Sequence, residues 1–389
     1  MNKNTFTFPV GYHEFNKDKG INFQLNRYYS MGNATFEDMQ EAGQKISSFE
    51  EWKTEMLKLA ETAVSEGRLM NAAFYYRAAE FFVLRDDPEK ELLYEKFLDL
   101  FYKAAQDDEI NKYEVPYNDT FLPAMRIQPV DTEKRGALVL HGGNDSFIEE
   151  IYPVMRDFSD HGYEVIAFEG PGQGSALKKY GLPLNIEWEK PTKAILDYFK
   201  LDDVTLLGIS MGGWLCIRAA AFEPRIKRVI PWSVSFDVTQ YTNVVGQYLA
   251  GLFMRRFRNF VNNQMKKNMK KKLEYSWFVN NLMYITNKEV PIEAFDVLMQ
   301  FNEENLHSDL VRQDVLILTG REDHLVPFKM HDMQVKALTN ARSVTSRVFT
   351  KEEQAQNHCQ MGNLGLALDV MRKWIEQKSY WEIPTGIKG

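Results

Sequence analysis

Two rhythms of apolar and polar positions divide the chain. Over residues 35–106 apolar side chains recur every three or four positions, the spacing that puts one buried stripe on an α-helix. Trp52, Met56, Leu59 and Ala63 mark one stripe, opened by the capping box Ser48-Phe49-Glu50-Glu51 and closed by Gly67. A second helix is expected over 69–84, carrying Ala72, Ala73, Tyr76, Ala79, Phe81 and Val83. A third starts at Asp87-Pro88, a cap followed by a first-turn proline, and runs through Leu92, Phe97, Leu98 and Phe101. After Asn118-Asp119 the spacing changes. Short β-branched apolar runs at 125–130, 137–140, 164–168, 204–207, 228–234, 315–319 and 344–349 alternate with helical stretches that include 149–161, 186–200 and 214–222. That alternation predicts an α/β architecture, a mostly parallel sheet with helices on both faces and ligands at the carboxyl ends of its strands.

The expected organisation is therefore an N-terminal helical cap domain over 1–112 and an α/β domain over 113–389. Ala63, Gly67, Ala72, Tyr75 and Ala78 resemble one tetratricopeptide unit, but no second copy follows, and a packed cap is expected rather than a peptide-binding array. Between Phe236 and Asn305 the alternation stops for longer than a connection in such a sheet requires, which predicts a helical lid over 236–305. Within it Arg255, Arg256, Arg258, Lys266, Lys267, Lys270, Lys271 and Lys272 occur without an intervening acid. Phe253, Phe257, Phe260, Val261, Met265, Met269 and Leu273 form an apolar stripe beside them. A solvated face on a cap helix is expected, with anionic-substrate steering and membrane-surface docking as alternatives.

Composition narrows the classes. At 389 residues, 44% hydrophobic and 26% charged, the chain can bury one large core and a smaller one. A net charge of -7 argues against a general nucleic-acid binder. The start of the chain lacks an apolar leader and no apolar run approaches a bilayer's thickness, while Cys216 and Cys359 are too few for a disulfide framework. A cytoplasmic protein without a membrane span is expected. No metal is expected, because His358-Cys359 has no partners at zinc-site spacing, and no cofactor. Glu169-Gly170-Pro171-Gly172-Gln173-Gly174 lacks both the Lys-Ser/Thr ending of a phosphate loop and dinucleotide spacing, and reads as a turn at the ligand edge of the sheet.

The candidate chemistry centres on Gly208-Ile209-Ser210-Met211-Gly212, which places Ser210 on a strand-to-helix turn with glycines where strand and helix cross. A serine hydroxyl needs a base oriented by a third group. In this architecture those partners follow the nucleophile as acid, then histidine. Asp323 lies just past the strand at 315–319, with Asp237 the alternative acid. His358 lies in a loop after the last strand and is preferred to His324 and His331. The helix starting at Met211 aims backbone N–H groups beside Ser210, and a second donor is expected from Gly143 or Asn144 in His141-Gly142-Gly143-Asn144. His141 is read as a support for that loop. Glu149 and Glu150 are candidates for accessory acid–base work, or else solvent-facing carboxylates at a helix start.

With these pieces the chain from about Tyr113 onward resembles the α/β-hydrolases, on His141-Gly142-Gly143, Gly208-Ile209-Ser210-Met211-Gly212, Asp323 and His358. It is more closely similar to a branch with an N-terminal helical domain: pseudooxynicotine hydrolases, fungal polyketide-shortening hydrolases and fermentation-respiration-switch-like esterases, often labelled acylaminoacyl-peptidase-like. Gly67 with Ala72, Arg77-Ala78-Ala79-Glu80-Phe81-Phe82, Gly142-Gly143-Asn144-Asp145-Ser146 with Glu149-Glu150, and the Glu169 to Gly174 turn carry that likeness. Glu169 stands where the family usually has aspartate. The resemblance implies a hydrolase acting on a carbonyl and mixes esterases with carbon–carbon bond hydrolases. Ester hydrolysis is expected, with carbon–carbon cleavage, amide cleavage and a non-catalytic binding protein as alternatives. The expected partner is a small acyl substrate, apolar or aromatic to judge from Phe74, Tyr75, Tyr76, Phe81, Phe82, Tyr248, Phe253, Trp277, Phe278 and Tyr284; a homo-oligomer is left open.

Overall fold

A computed structural model describes residues 6–129, 134–144, 146–241, 256–271 and 273–380. Five helices come first: α1 (Lys19–Ser30), α2 (Phe36–Lys45), α3 (Phe49–Ser65), α4 (Leu69–Phe81) and α5 (Glu89–Ala104). The expected cap at Ser48 forms, its Oγ accepting the Glu51 N–H at 3.1 Å, whereas at α5 Pro88 takes the cap position and Asp87 Oδ1 accepts the Glu89 N–H at 2.9 Å from one residue before it. α4 is buried on all sides from Ala72 to Phe81, including Arg77 and Glu80.

The apolar pattern misses α1, and its packing explains why. Its buried face includes Asn22, Asn26 and Ser30. Asn26 accepts the His13 N–H and donates to the His13 carbonyl, both at 2.8 Å, while Asn22 accepts the Asn16 N–H at 3.0 Å. This helix binds the preceding extended chain through side-chain amides, so its buried stripe does not read as apolar.

The sheet has eight strands: β1 (Asn111–Tyr117), β2 (Thr120–Ile127), β3 (Gly136–His141), β4 (Tyr163–Phe168), β5 (Val204–Ile209), β6 (Ile226–Trp232), β7 (Asp314–Gly320) and β8 (Ser343–Phe349), in the order β1-β2-β4-β3-β5-β6-β7-β8. β2 runs antiparallel to β1 and β4; the remaining pairs are parallel. Two expectations are corrected at this edge. β1 is a strand the spacing did not predict, and β2 starts at Thr120 rather than 125. Asn118-Asp119 is their two-residue turn, with Tyr117 opposite Thr120 and Asn118 at φ +50°. The expected domain boundary at 112 falls inside β1.

Helices α6 (Tyr152–Asp160), α7 (Gly174–Lys178), α8 (Glu189–Phe199) and α9 (Gly212–Phe222) follow. Between β6 and β7 lie α10 (Arg258–Met269), α11 (Leu273–Ile285), α12 (Pro291–Leu298) and α13 (Glu303–Leu306). α14 (Lys329–Ala337) and α15 (Leu364–Tyr380) complete the described chain. Alternate strand residues feed two cores. Leu138, Leu140, Leu207, Ile230 and Leu318 pack with α1–α6 and α15, whereas Val139, Leu206, Val229 and Ile317 pack with α8, α9 and the β6–β7 helices. Both faces are covered, which is why these strands read as unbroken apolar runs.

α11 docks on the N-terminal helices: Trp277 stacks on Phe81 at 5.1 Å and donates its indole N–H to the Phe81 carbonyl at 3.1 Å. Phe74, Tyr75, Tyr76 and Phe81 are buried. The apolar stripe of α10 buries only Met265, while Lys266, Lys267, Lys270 and Lys271 are exposed. Tyr248, Phe253, Arg255 and Lys272 lie outside the described residues. Among the described residues no helix is long and apolar enough to cross a membrane.

Candidate active site

Ser210 follows the last residue of β5 at φ +60°, and α9 begins two residues later. A Cβ on Gly208 would stand 1.9 Å from the Gly212 carbonyl oxygen, so strand and helix cross too closely for any side chain. The Ser210 N–H is held by the Trp232 carbonyl at 2.8 Å.

His358 comes from the loop after β8 and Asp323 from the loop after β7. His358 Nε2 lies 2.8 Å from Ser210 Oγ, and His358 Nδ1 lies 2.7 Å from Asp323 Oδ2. The other carboxylate oxygen of Asp323 accepts the Leu325 and Val326 N–H groups, both at 2.9 Å, which fixes the acid in its turn. The histidine loop is pinned from beneath. Cys359 N–H donates to Ser233 Oγ at 3.1 Å and the Trp232 indole donates to Gln360 Oε1 at 2.6 Å. At Gly320 a Cβ would meet the Gln356 and Asn357 carbonyls at 2.3 Å, so this glycine lets the loop cross the end of β7.

Electrostatics follow from that geometry. Burial alone would lower the His358 pKa, but Cys359 and the Asp323 carboxylate outweigh it and hold the imidazole well above the usual 6.5. Burial raises Asp323, yet the adjoining imidazole and the N–H donors win and keep its carboxyl below the usual range. The remaining candidates make other contacts. Asp237 accepts the Thr239 and Glu303 N–H groups, His331 sits between Thr319 and Ser346, and His324 packs its ring 4.6 Å from that of Phe23.

The loop His141 to Asn144 presses against the serine turn. A Cβ on Gly143 would stand 2.8 Å from the Ile209 oxygen and 3.0 Å from the Met211 nitrogen. Gly143 N–H points to Ser146 Oγ at 3.4 Å, and Asn144 lines the same cavity as Ser210, Met211 and His358. His141 is buried, its Nδ1 3.1 Å from the Gly142 oxygen, and burial lowers its pKa to about 4, so it stays neutral. The cavity measures about 440 Å³ and is walled by Trp214, Phe278, Leu282, Phe295, Leu298 and Phe301.

Two residues of the glycine-rich turn support this loop in ways the sequence reading missed. Gln173 Nε2 donates to the Gly142 and Gly143 carbonyls at 2.8 and 3.1 Å, fixing the loop beside the serine turn. Glu169 accepts the Ile148 N–H at 3.1 Å and the Ser175 N–H at 2.6 Å, tying the turn to the residues after the loop. Burial first, and then Glu149, pushes the Glu169 carboxyl up to about 8 from its ordinary 4.5. A carboxyl that binds its proton more tightly when folded loses stability as pH rises between those values. Melting temperature is therefore expected to fall from pH 5 to pH 8, with a shallower fall in Glu169→Gln; equal slopes in scanning calorimetry would contradict this.

The solvent-facing reading of Glu149 and Glu150 is corrected, since both are buried. Glu149 accepts the Tyr102 hydroxyl at 2.6 Å, and Glu150 pairs with Arg27 at 2.7 Å and Arg77 at 3.0 Å. Their side chains are engaged by the N-terminal helices, and neither lines the cavity that holds Ser210. Among the described residues no cluster of three or more His, Cys, Asp or Glu is placed to hold a metal ion.

A family model for the alpha/beta hydrolase fold matches residues 138–353, more than half of the chain. The chain belongs to the alpha/beta hydrolase fold family. Among relatives in that family, hydrolase acrC of Aspergillus aculeatus is 28% identical across 64% of this chain and 65% of its own length. Alpha/beta hydrolase psoB of Aspergillus fumigatus is 28% identical across 94% of both chains. The crystal structure of 2,6-dihydroxy-pseudo-oxynicotine hydrolase superposes over 90% of this chain and 95% of its own with a TM-score of 0.64 and 21% identity, a likeness of fold that takes in the N-terminal helices. Ser210, Asp323 and His358 lie just past the carboxyl ends of β5, β7 and β8.

Proposed function

We propose that this protein is a serine hydrolase that cleaves an ester-type carbonyl through an acyl-enzyme on Ser210. The observation that carries the reading is the continuous contact from Asp323 through His358 to Ser210 Oγ, opening on an apolar cavity. Ser210 Oγ attacks the carbonyl carbon as His358 Nε2 takes its proton, and Asp323 stabilises the imidazolium. The oxyanion is held by the Met211 N–H, with Gly143 or Asn144 as the second donor. Collapse expels the alcohol, which takes the proton from His358. Water, deprotonated by the same imidazole, then attacks the acyl-enzyme, and the acid leaves with Ser210 restored.

Ester cleavage is preferred to carbon–carbon cleavage because a carbanion leaving group calls for a further acid beside it. The described lining of the cavity includes no carboxyl group. The apolar walls suit an acyl group of aliphatic or aromatic character.

The test is hydrolysis of p-nitrophenyl butyrate as a function of pH. Only neutral imidazole accepts the serine proton, so kcat/KM should rise with pH through a titration whose midpoint lies above 6.5. No turnover across short and medium acyl chains, or a rate independent of pH from 5 to 9, would contradict the reading. Gly143→Ala is expected to lower kcat by about 10²-fold, the scale of one lost oxyanion donor, because the added methyl pushes the loop off the serine turn. A steady-state kcat close to wild type would remove Gly143 from the account.

A further inference from the structure

Beside the Ser210 cavity lies a smaller, charged one of about 40 Å³, enclosed by α4, α5, α7 and α11. At about one probe sphere per water, it has room for roughly three waters or one carboxylate group. The two cavities share Asn144 and use neighbouring faces of α11: Phe278 and Leu282 line the Ser210 cavity, whereas Asn281, Tyr284 and Ile285 line the charged space.

The charge in and around this space is unbalanced. Arg77, Lys90 and Lys178 line it with the buried Glu80, and Arg27, the buried Glu150 and the exposed Glu91 adjoin them, four cations to three carboxylates. Three of the cations are closely paired. Arg27 meets Glu150 at 2.7 Å, Arg77 meets Glu150 at 3.0 Å as well as Glu80, and Lys90 meets Glu80 at 2.8 Å and the Val83 carbonyl at 2.9 Å. Lys178 differs. Its side chain is only 5% exposed, yet its nearest carboxylates are Glu91 at 3.4 Å and Glu80 at 3.6 Å, and Glu91 is itself 60% exposed. The Tyr94 ring, 4.5 Å away, covers one side of the ammonium. An ammonium has three donors, and full hydrogen bonds to oxygen run to about 3.2 Å, so a buried lysine held this loosely keeps donor capacity for another anion. Its hydrogen bond to the exposed Glu91, at 3.4 Å, is long enough to be exchanged for a closer anion.

We propose that Lys178 and this cavity receive a carboxylate of the substrate, so that the preferred substrate is an acyl compound with an apolar body and a free carboxylate at one end. The assignment rests on the serine-hydrolase reading and narrows it. A carboxylate at Lys178 leaves the rest of the molecule to extend past the shared Asn144 toward Ser210.

The experiment compares p-nitrophenyl monoesters of adipic, pimelic and suberic acids with neutral p-nitrophenyl esters of equal length that end in methyl. At one length the acid ester should exceed its neutral counterpart in kcat/KM. Lys178→Met should lower that acid-to-neutral ratio by about tenfold or more, the scale of one charge-assisted hydrogen bond, and Lys178→Arg should restore part of it. Adipate should inhibit neutral-ester turnover competitively; activation or noncompetitive inhibition would mark a separate effector site and overturn the assignment. So would neutral esters being preferred at every length, or an unchanged ratio in Lys178→Met. Fluorophosphonate labelling of the variants checks that the serine site is intact; if both ester series fail in Lys178→Met while labelling persists, the lysine serves the structure alone and the proposal falls. Should wild type turn over no ester, the serine-hydrolase reading fails first. The anion site is then decided by whether adipate raises the melting temperature of wild type and not of Lys178→Met.

Discussion

Replacing Ser210 by alanine is expected to lower kcat for p-nitrophenyl butyrate by about 10⁵- to 10⁶-fold, the scale on which removing a triad nucleophile acts. The loss is chemical rather than structural. The backbone turn that holds residue 210 is set by the Ser210 N–H bond to Trp232 and by the close crossing at Gly208, neither of which uses the hydroxyl. Alanine at φ +60° carries the strain serine already carries. KM should therefore move little, and thermal unfolding should stay near wild type. A Ser210→Ala enzyme retaining a tenth of wild-type kcat would mean that another group performs the attack.

Asp323→Asn is expected to cost about 10⁴-fold in kcat, because an amide neither holds the required tautomer of His358 nor stabilises its protonated form. The substitution keeps the acceptor that meets the Leu325 and Val326 N–H groups, so the turn should survive. It also carries a signature that simple misfolding would not. With the carboxylate gone, one of the two influences that outweigh burial at His358 disappears, and the imidazole pKa falls. The acid limb of the kcat/KM profile should move to lower pH in the variant while the plateau drops. A plateau within tenfold of wild type, or an unmoved limb, would return the acid's role to another residue.

What could be read from the chain depended on how local the physics is. The serine turn is legible because strand, glycine-flanked turn and helix are consecutive, and the places of Asp323 and His358 follow from where loops leave successive parallel strands. The position of the Gly143–Asn144 loop beside Ser210 is legible for the same reason, since it follows the end of β3. Gln173 and Glu169 were not assigned their roles, since their partners Gly142, Gly143 and Ile148 lie 21 to 31 positions away. α1 escaped because its buried face is partly asparagine, and β1 because Asn118-Asp119 looks as much like a boundary as a hairpin turn. The burial of Glu149 and Glu150 depends on Tyr102, Arg77 and Arg27, supplied by helices far earlier in the sequence. Helical spacing also could not tell which aromatics of the β6–β7 helices face the cavity. Phe278 and Phe295 line it, whereas Trp277, one residue away from Phe278, docks α11 on Phe81.

The central claim is that Ser210 is an activated nucleophile, and reaction with a fluorophosphonate tests it without knowledge of the substrate. Intact-mass and peptide analysis should find one phosphonyl adduct per chain, located on Ser210, absent from Ser210→Ala and formed far more slowly in His358→Ala. A wild-type protein that takes no adduct at Ser210, or labels as fast without His358 as with it, would contradict the account.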